Sequence, residues 1–130
     1  MIYLFSPDLK EIDKVRTRFA RAKKRKEPFW IEAIKFSPNG EYVAFGAHGG
    51  ASHLEIYEVK DNKLENQKVF KNIVSSAMLS VDWSQDSSSM ALVSQAYELQ
   101  FANLEGRTAA SAMREVKWAT WTAKFGACVR

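Results

Sequence analysis

At 130 residues the chain is long enough for one domain with its own core and too short for two ordinary ones. An apolar share of 46% beside 26% charged residues excludes a disordered tail, and no run approaches the roughly 18 apolar residues of a membrane helix. The net charge of +4 is local: Lys14, Arg16, Arg18, Arg21, Lys23, Lys24, Arg25 and Lys26 fall together without an acid, leaving the rest of the chain at −4. The opening residues lack the basic and long apolar regions of a signal peptide, and Cys128 is a lone cysteine with no internal partner. A reducing, cytoplasmic setting is therefore expected.

In chain order, Ile2 to Phe5 reads as a strand and Ser6-Pro7-Asp8 as a turn. Residues 8 to 26 carry two patterns. Leu9, Ile12, Val15, Phe19 and Ala22 recur at helical spacing, with Asp8 as a possible cap. The repeat described next instead places a strand from about Lys10 to Phe19 and a basic loop over 20–28, and the strand is preferred. Further strands are predicted near 31–37, 41–47, 54–59, 79–84, 89–95 and 97–102 from the repeat, with period-two apolar alternation in Leu54 to Val59 and Tyr97 to Phe101. Gln67 to Phe70 and Thr108 to Met113 supply short outer strands, and Val116 to Phe125 reads as one more first strand.

These elements repeat. Ile34 to Ala44 has a gap-free counterpart in Val81 to Ala91, offset by 47 residues. Each copy is a strand ending in a large aromatic, a Ser-x-Asx turn, and a second apolar strand. Asn39-Gly40 and Asp86-Ser87 suit the turns, because Asn and Gly tolerate positive φ and Asp and Ser bond nearby backbone N–H groups. Four short strands recurring at this length are the pattern of a β-propeller blade, and a β-sandwich gives no reason for a fixed offset. The expectation is an all-β chain, a partial propeller with about two complete four-stranded blades and a partial blade at each end. Its divisions are 1–29 (third and outer strands plus the basic loop), 30–72, 73–113 and 114–130, the start of a further blade. Such a stack leaves edges and faces open, so another chain or a further segment is needed to close it.

The words within the repeat are also familiar. Trp30 to His48, with Ile34-Lys35-Phe36-Ser37-Pro38-Asn39-Gly40 at its centre, resembles a WD40 blade of the echinoderm microtubule-associated protein-like (EML) family. Val81-Asp82-Trp83-Ser84-Gln85-Asp86-Ser87, followed by Tyr97-Glu98-Leu99, is similar to the next blade there. Trp118-Ala119-Thr120-Trp121-Thr122 resembles the opening of the blade after that. The likeness covers about residues 30 to 126 and implies a WD40-type scaffold without enzyme activity, on microtubules or in a ciliary axoneme. Departures include Ala47-His48-Gly49-Gly50 and Phe101-Ala102, and nothing matches the family's coiled coil or hydrophobic HELP motif.

Candidate sites are few. His48, His53 and Cys128 lack the spacing of a metal site, and no phosphate loop, nucleophile elbow or carboxylate pair for acid–base work is present, so no catalytic, metal or cofactor residue is assigned. Asp82 and Asp86 are assigned to a turn. Trp83, Trp118 and Trp121 are taken as blade core ahead of a stacking platform, with Tyr97 and Trp83 as landmarks of the repeat. Arg21, Lys23, Lys24, Arg25 and Lys26 carry the functional expectation, an electrostatic foothold on a polyanion. Tubulin ranks ahead of a merely solvated loop, nucleic acid ranks below both, and no membrane partner is expected. The alternative is a WD40 scaffold of an unrelated complex, with the basic loop incidental.

Overall fold

The computed structural model describes residues 2–15, 30–48, 54–120 and 122. β1 (Ile2–Phe5) and β2 (Glu11–Val15) make a hairpin. β3 (Trp30–Phe36), β4 (Tyr42–His48), β5 (Leu54–Lys60) and β6 (Lys63–Phe70) form a four-stranded antiparallel meander, the middle sheet. β7 (Met78–Trp83), β8 (Ser89–Ser94), β9 (Leu99–Asn103) and β10 (Gly106–Thr108) repeat that meander as the last sheet. The described residues contain no α-helix, and only a short 3-10 turn at Ala110–Met113.

Strand alternation explains how the three layers stack. Side chains point to opposite faces of a strand in turn. On β4, Tyr42 and Ala44 face the last sheet, while Val43, Phe45 and Ala47 face the hairpin. One core therefore joins the middle and last sheets through Leu54, Ile56, Met78, Val81, Trp83, Met90 and Leu92. A second joins the middle sheet to the hairpin, where Ile2, Leu4 and Val15 cover Val43, Phe45 and Tyr57. β4 is apolar on both faces because it is covered on both. Gly46 marks the closest approach: a Cβ there would meet the Cβ of Met78 at 2.7 Å, so no larger residue fits without displacing β7. The sheets meet most closely through β3 and β4 against β7, as blades do near a propeller axis.

The predicted strands are found, with changes at their ends. β9 begins at Leu99 rather than 97, because Tyr97 takes a positive φ of 61° in the turn and is 81% exposed. A Tyr at positive φ does not continue a strand. The last outer strand is Gly106–Thr108 and gives way to the 3-10 turn where a strand through Met113 was expected. β6 is longer than expected, running the whole of Lys63–Phe70. β2 is a strand to Val15, and the remainder of the expected strand to Phe19 lies outside the described residues. In the stretch expected as a first strand from Val116, the described pairing is a single bridge from Trp118 to Ser84.

Candidate interaction surface

The Ser-x-Asx turns shape one end of the stack, and the two copies match bond for bond. Ser37 Oγ donates to Asn39 Oδ1 at 2.6 Å and accepts from the Tyr42 N–H at 3.0 Å. Ser84 Oγ donates to Asp86 Oδ1 at 2.5 Å and accepts from the Ser89 N–H at 3.0 Å. The fourth turn position is left-handed in both, Gly40 at φ 74° and Ser87 at φ 62°. Asp86 also accepts from the Ser88 hydroxyl and N–H, and the serine hydrogen bonds hold its carboxyl below the usual range. The turn role assigned to Asp86 is what this geometry performs.

Positions one residue out of step with the repeat then bond to one another across consecutive blades. The Asn39 N–H donates to Ser87 Oγ at 3.1 Å, and the Trp83 indole N–H donates to the Lys35 carbonyl at 3.1 Å. Trp83 is buried and stacks on Tyr42, ring centres 6.3 Å apart. Asp82, also buried, has Lys35 Nζ at 4.0 Å and accepts from the hydroxyls of Thr120 and Thr122 at 2.5 and 2.6 Å. A buried carboxylate needs such partners. Here they tie β7 backward to the middle sheet and forward to the stretch at 118–120 and to Thr122. That stretch lies on the far side of the last sheet, where Trp118 stacks on Phe101 at 5.8 Å and Ala119 N–H donates to the Trp83 carbonyl. Asp82 thus joins neighbouring inner segments, beyond the turn role read from the sequence.

At the other end, the connection between the middle and last sheets is pinned by Glu98. Its Oε2 accepts from the Ser75 N–H at 2.8 Å, the Ser75 hydroxyl at 2.6 Å and the Ser94 hydroxyl at 2.8 Å. Chiefly through the Ser75 hydroxyl, the Glu98 carboxyl is held below its ordinary value. An open cavity of about 370 Å3 lies beside it, lined by Asn72, Ile73, Val74, Ser75, Glu98 and Arg107.

Of the residues singled out in the sequence, Trp83 lies in the core and Trp118 is half-buried on the last sheet, while Tyr97 is in the exposed turn. Trp121 and the cations Arg21, Lys23, Lys24, Arg25 and Lys26 lie outside the described residues, as do His53 and Cys128. Asp82 and the serine ties at Ser75 and Ser87 were not picked out as partners. The signal for Ser87 was present: Asn39–Ser87 and Lys35–Trp83 are both separated by 48 residues, the repeat length plus one.

No family model matches the chain. It is 34% identical over 99 residues to the 77 kDa echinoderm microtubule-associated protein of Lytechinus variegatus, covering 73% of this chain and 15% of that protein. It is 31% identical over 123 residues to the ciliary WD repeat-containing protein ctxp80 of Euplotoides octocarinatus, covering 91% and 16%. The chain thus spans about a sixth of the length of these relatives. In fold it is similar to the crystal structure of the C-terminal WD40 domain of Sif2, with a TM-score of 0.53 and 18% identity over 74% of this chain and 24% of that one. The stacked four-stranded meanders, the repeated turns and these similarities agree: the chain is an EML-like stretch of WD40-type β-propeller.

Proposed function

We propose that the chain is a non-enzymatic scaffold of microtubules or the ciliary axoneme, with Arg21 and Lys23 to Lys26 as its foothold on the acidic tubulin surface. The observation that carries this reading is the run of cations in a chain otherwise net negative, set in a sequence similar to a microtubule-associated protein. Clustered cations raise the rate and strength of association with a polyanion and make both salt-dependent. The blades supply rigid faces and edges for protein contact, and the two relatives are named for microtubule association and for ciliary WD repeats, not for a reaction. Cytoskeletal and ciliary localisation follow from the same proposal.

The test is co-sedimentation with microtubules, intact or stripped of their acidic tails, over a salt series. Changing Lys23, Lys24, Arg25 and Lys26 together to Glu is expected to weaken binding and flatten its salt dependence. A melting temperature equal to the parent's is the control that assigns the loss to binding and not to folding. Equal binding by variant and parent at every salt concentration would remove the foothold and leave a WD40 scaffold of some other complex. Binding to DNA that exceeds binding to microtubules would remove tubulin as the polyanion.

A further inference from the structure

The outer strands of the middle and last sheets meet near the β9–β10 turn. There Lys68 Nζ donates to the Leu104 carbonyl at 3.1 Å, and a Cβ on Gly106 would lie 3.9 Å from the Phe70 ring. One residue on, Arg107 lines the open cavity of about 370 Å3, with Glu98 and the connection at 72–75 as its other walls. Arg107 pairs directly with Ala102. Residues paired across strands share a face, so the Arg107 side chain lies on the face whose core packs on the middle sheet.

The two charges of this cavity are not equivalent. Glu98 is supplied with donors, since its Oε2 accepts from the Ser75 N–H and from the hydroxyls of Ser75 and Ser94. Arg107 has its Nε on Gln100 Oε1 at 2.9 Å, a neutral acceptor. Among the described residues no carboxylate forms an ion pair with its guanidinium. The Gln100 amide therefore orients the planar fork and leaves the two terminal nitrogens to meet a ligand. The positive charge is the uncompensated one.

We propose that this cavity takes the carboxylate of an acidic side chain on a protein partner, paired end-on with the terminal nitrogens of Arg107. A planar carboxylate matches that edge with two parallel hydrogen bonds. The cavity is open and near the lower end of the usual range for ligand sites, roughly 300–1,000 Å3. It suits a side chain presented from outside rather than an enclosed small molecule. Glu98 sets the choice of anion, because its carboxylate in the same cavity repels a phosphate dianion more than a singly charged carboxylate. The proposal does not depend on Lys23 to Lys26 and stands whether or not they bind tubulin.

A nuclear magnetic resonance titration tests it. The full 130-residue chain carries the glutamate substitutions at Lys23, Lys24, Arg25 and Lys26, so that the basic run cannot take the probe. The probe is a tetraglutamate peptide capped at both ends, and the signals followed are the Arg107 Nε–H and the Ser75 backbone N–H. Both should shift and saturate together. Arg107→Gln, read at Ser75, should weaken binding by at least about tenfold. Arg107→Lys keeps the charge without the fork and should fall between the two. Gln100→Ala keeps the guanidinium but frees it, and should weaken binding by about threefold. Lys60→Gln removes an equal charge elsewhere and should leave the affinity unchanged. Absence of any shift at millimolar peptide overturns the proposal, as does equal binding by the parent and Arg107→Gln. Tighter binding of inorganic phosphate than of the peptide at Arg107 also overturns it, in favour of a phosphate site.

Discussion

The middle sheet has a neighbour on each face, and the two contacts are filled unequally. Toward the last sheet it meets four strands, a core containing Trp83, Met78, Met90 and Leu92, and hydrogen bonds at the turn end of the interface. Toward the hairpin it meets two strands: Phe45 and Tyr57 are buried by Ile2, Leu4 and Val15, the Leu64 N–H donates to Asp13 at 2.7 Å, and Ile34 and Phe36 stay bare. The middle sheet presents large apolar residues on both sides. Burial at a given repeat position is therefore set by how much of the neighbouring blade is present, not by the residue type at that position.

The largest expected effect separates the two faces by one pair of substitutions. Trp83→Ala removes a fully buried indole and should cost about 3–5 kcal/mol, enough to unfold a domain of this size or leave it marginal. Phe36→Ala, at the same repeat position but 53% exposed, should cost less than about 1 kcal/mol. Urea denaturation of both variants checks this, and similar costs for the two would mean that the faces are equally covered.

A smaller effect concerns the tie between sheets at Glu98. Its folded carboxyl is held below the ordinary value near 4.5, so the unfolded chain takes up its proton first as pH falls. The stability it contributes is fully present above the unfolded value and is lost as pH drops through the lower folded value. Glu98→Gln should therefore lower the melting temperature near neutral pH by the equivalent of roughly 1 kcal/mol. The difference from the parent should close under strongly acidic conditions. A constant difference across the whole pH series would assign the effect to packing rather than to the ionised carboxylate.

Much of this arrangement is legible in the residues. Asn39-Gly40, Asp86-Ser87 and the 47-residue offset place both hairpins and the order of strands, because turn chemistry and alternation are local. The ends of strands were less legible. Tyr97-Glu98-Leu99 alternates like a strand, but Glu98 is drawn to Ser75 and Ser94 and Tyr97 turns out at positive φ, a tertiary demand that no local pattern carries. Nor does alternation distinguish Ile34 and Phe36 from Val81 and Trp83, since both pairs point to a blade face and only the neighbour differs. The basic run is plain in the sequence, and from Arg16 onward it lies outside the described residues.

The central claim is that the repeat lays consecutive blades face to face, with Trp83 seated on the strand that precedes it by one repeat. The Trp83 indole N–H reports on this directly, since it is buried, bonds to the Lys35 carbonyl and stacks beside Tyr42. In a nuclear magnetic resonance hydrogen-exchange experiment, assigned by its loss in Trp83→Phe, that proton should exchange only through unfolding and show a cross-peak to the Tyr42 ring. An indole proton that exchanges as fast as a free tryptophan, with no contact to Tyr42, would contradict the stacked-blade account.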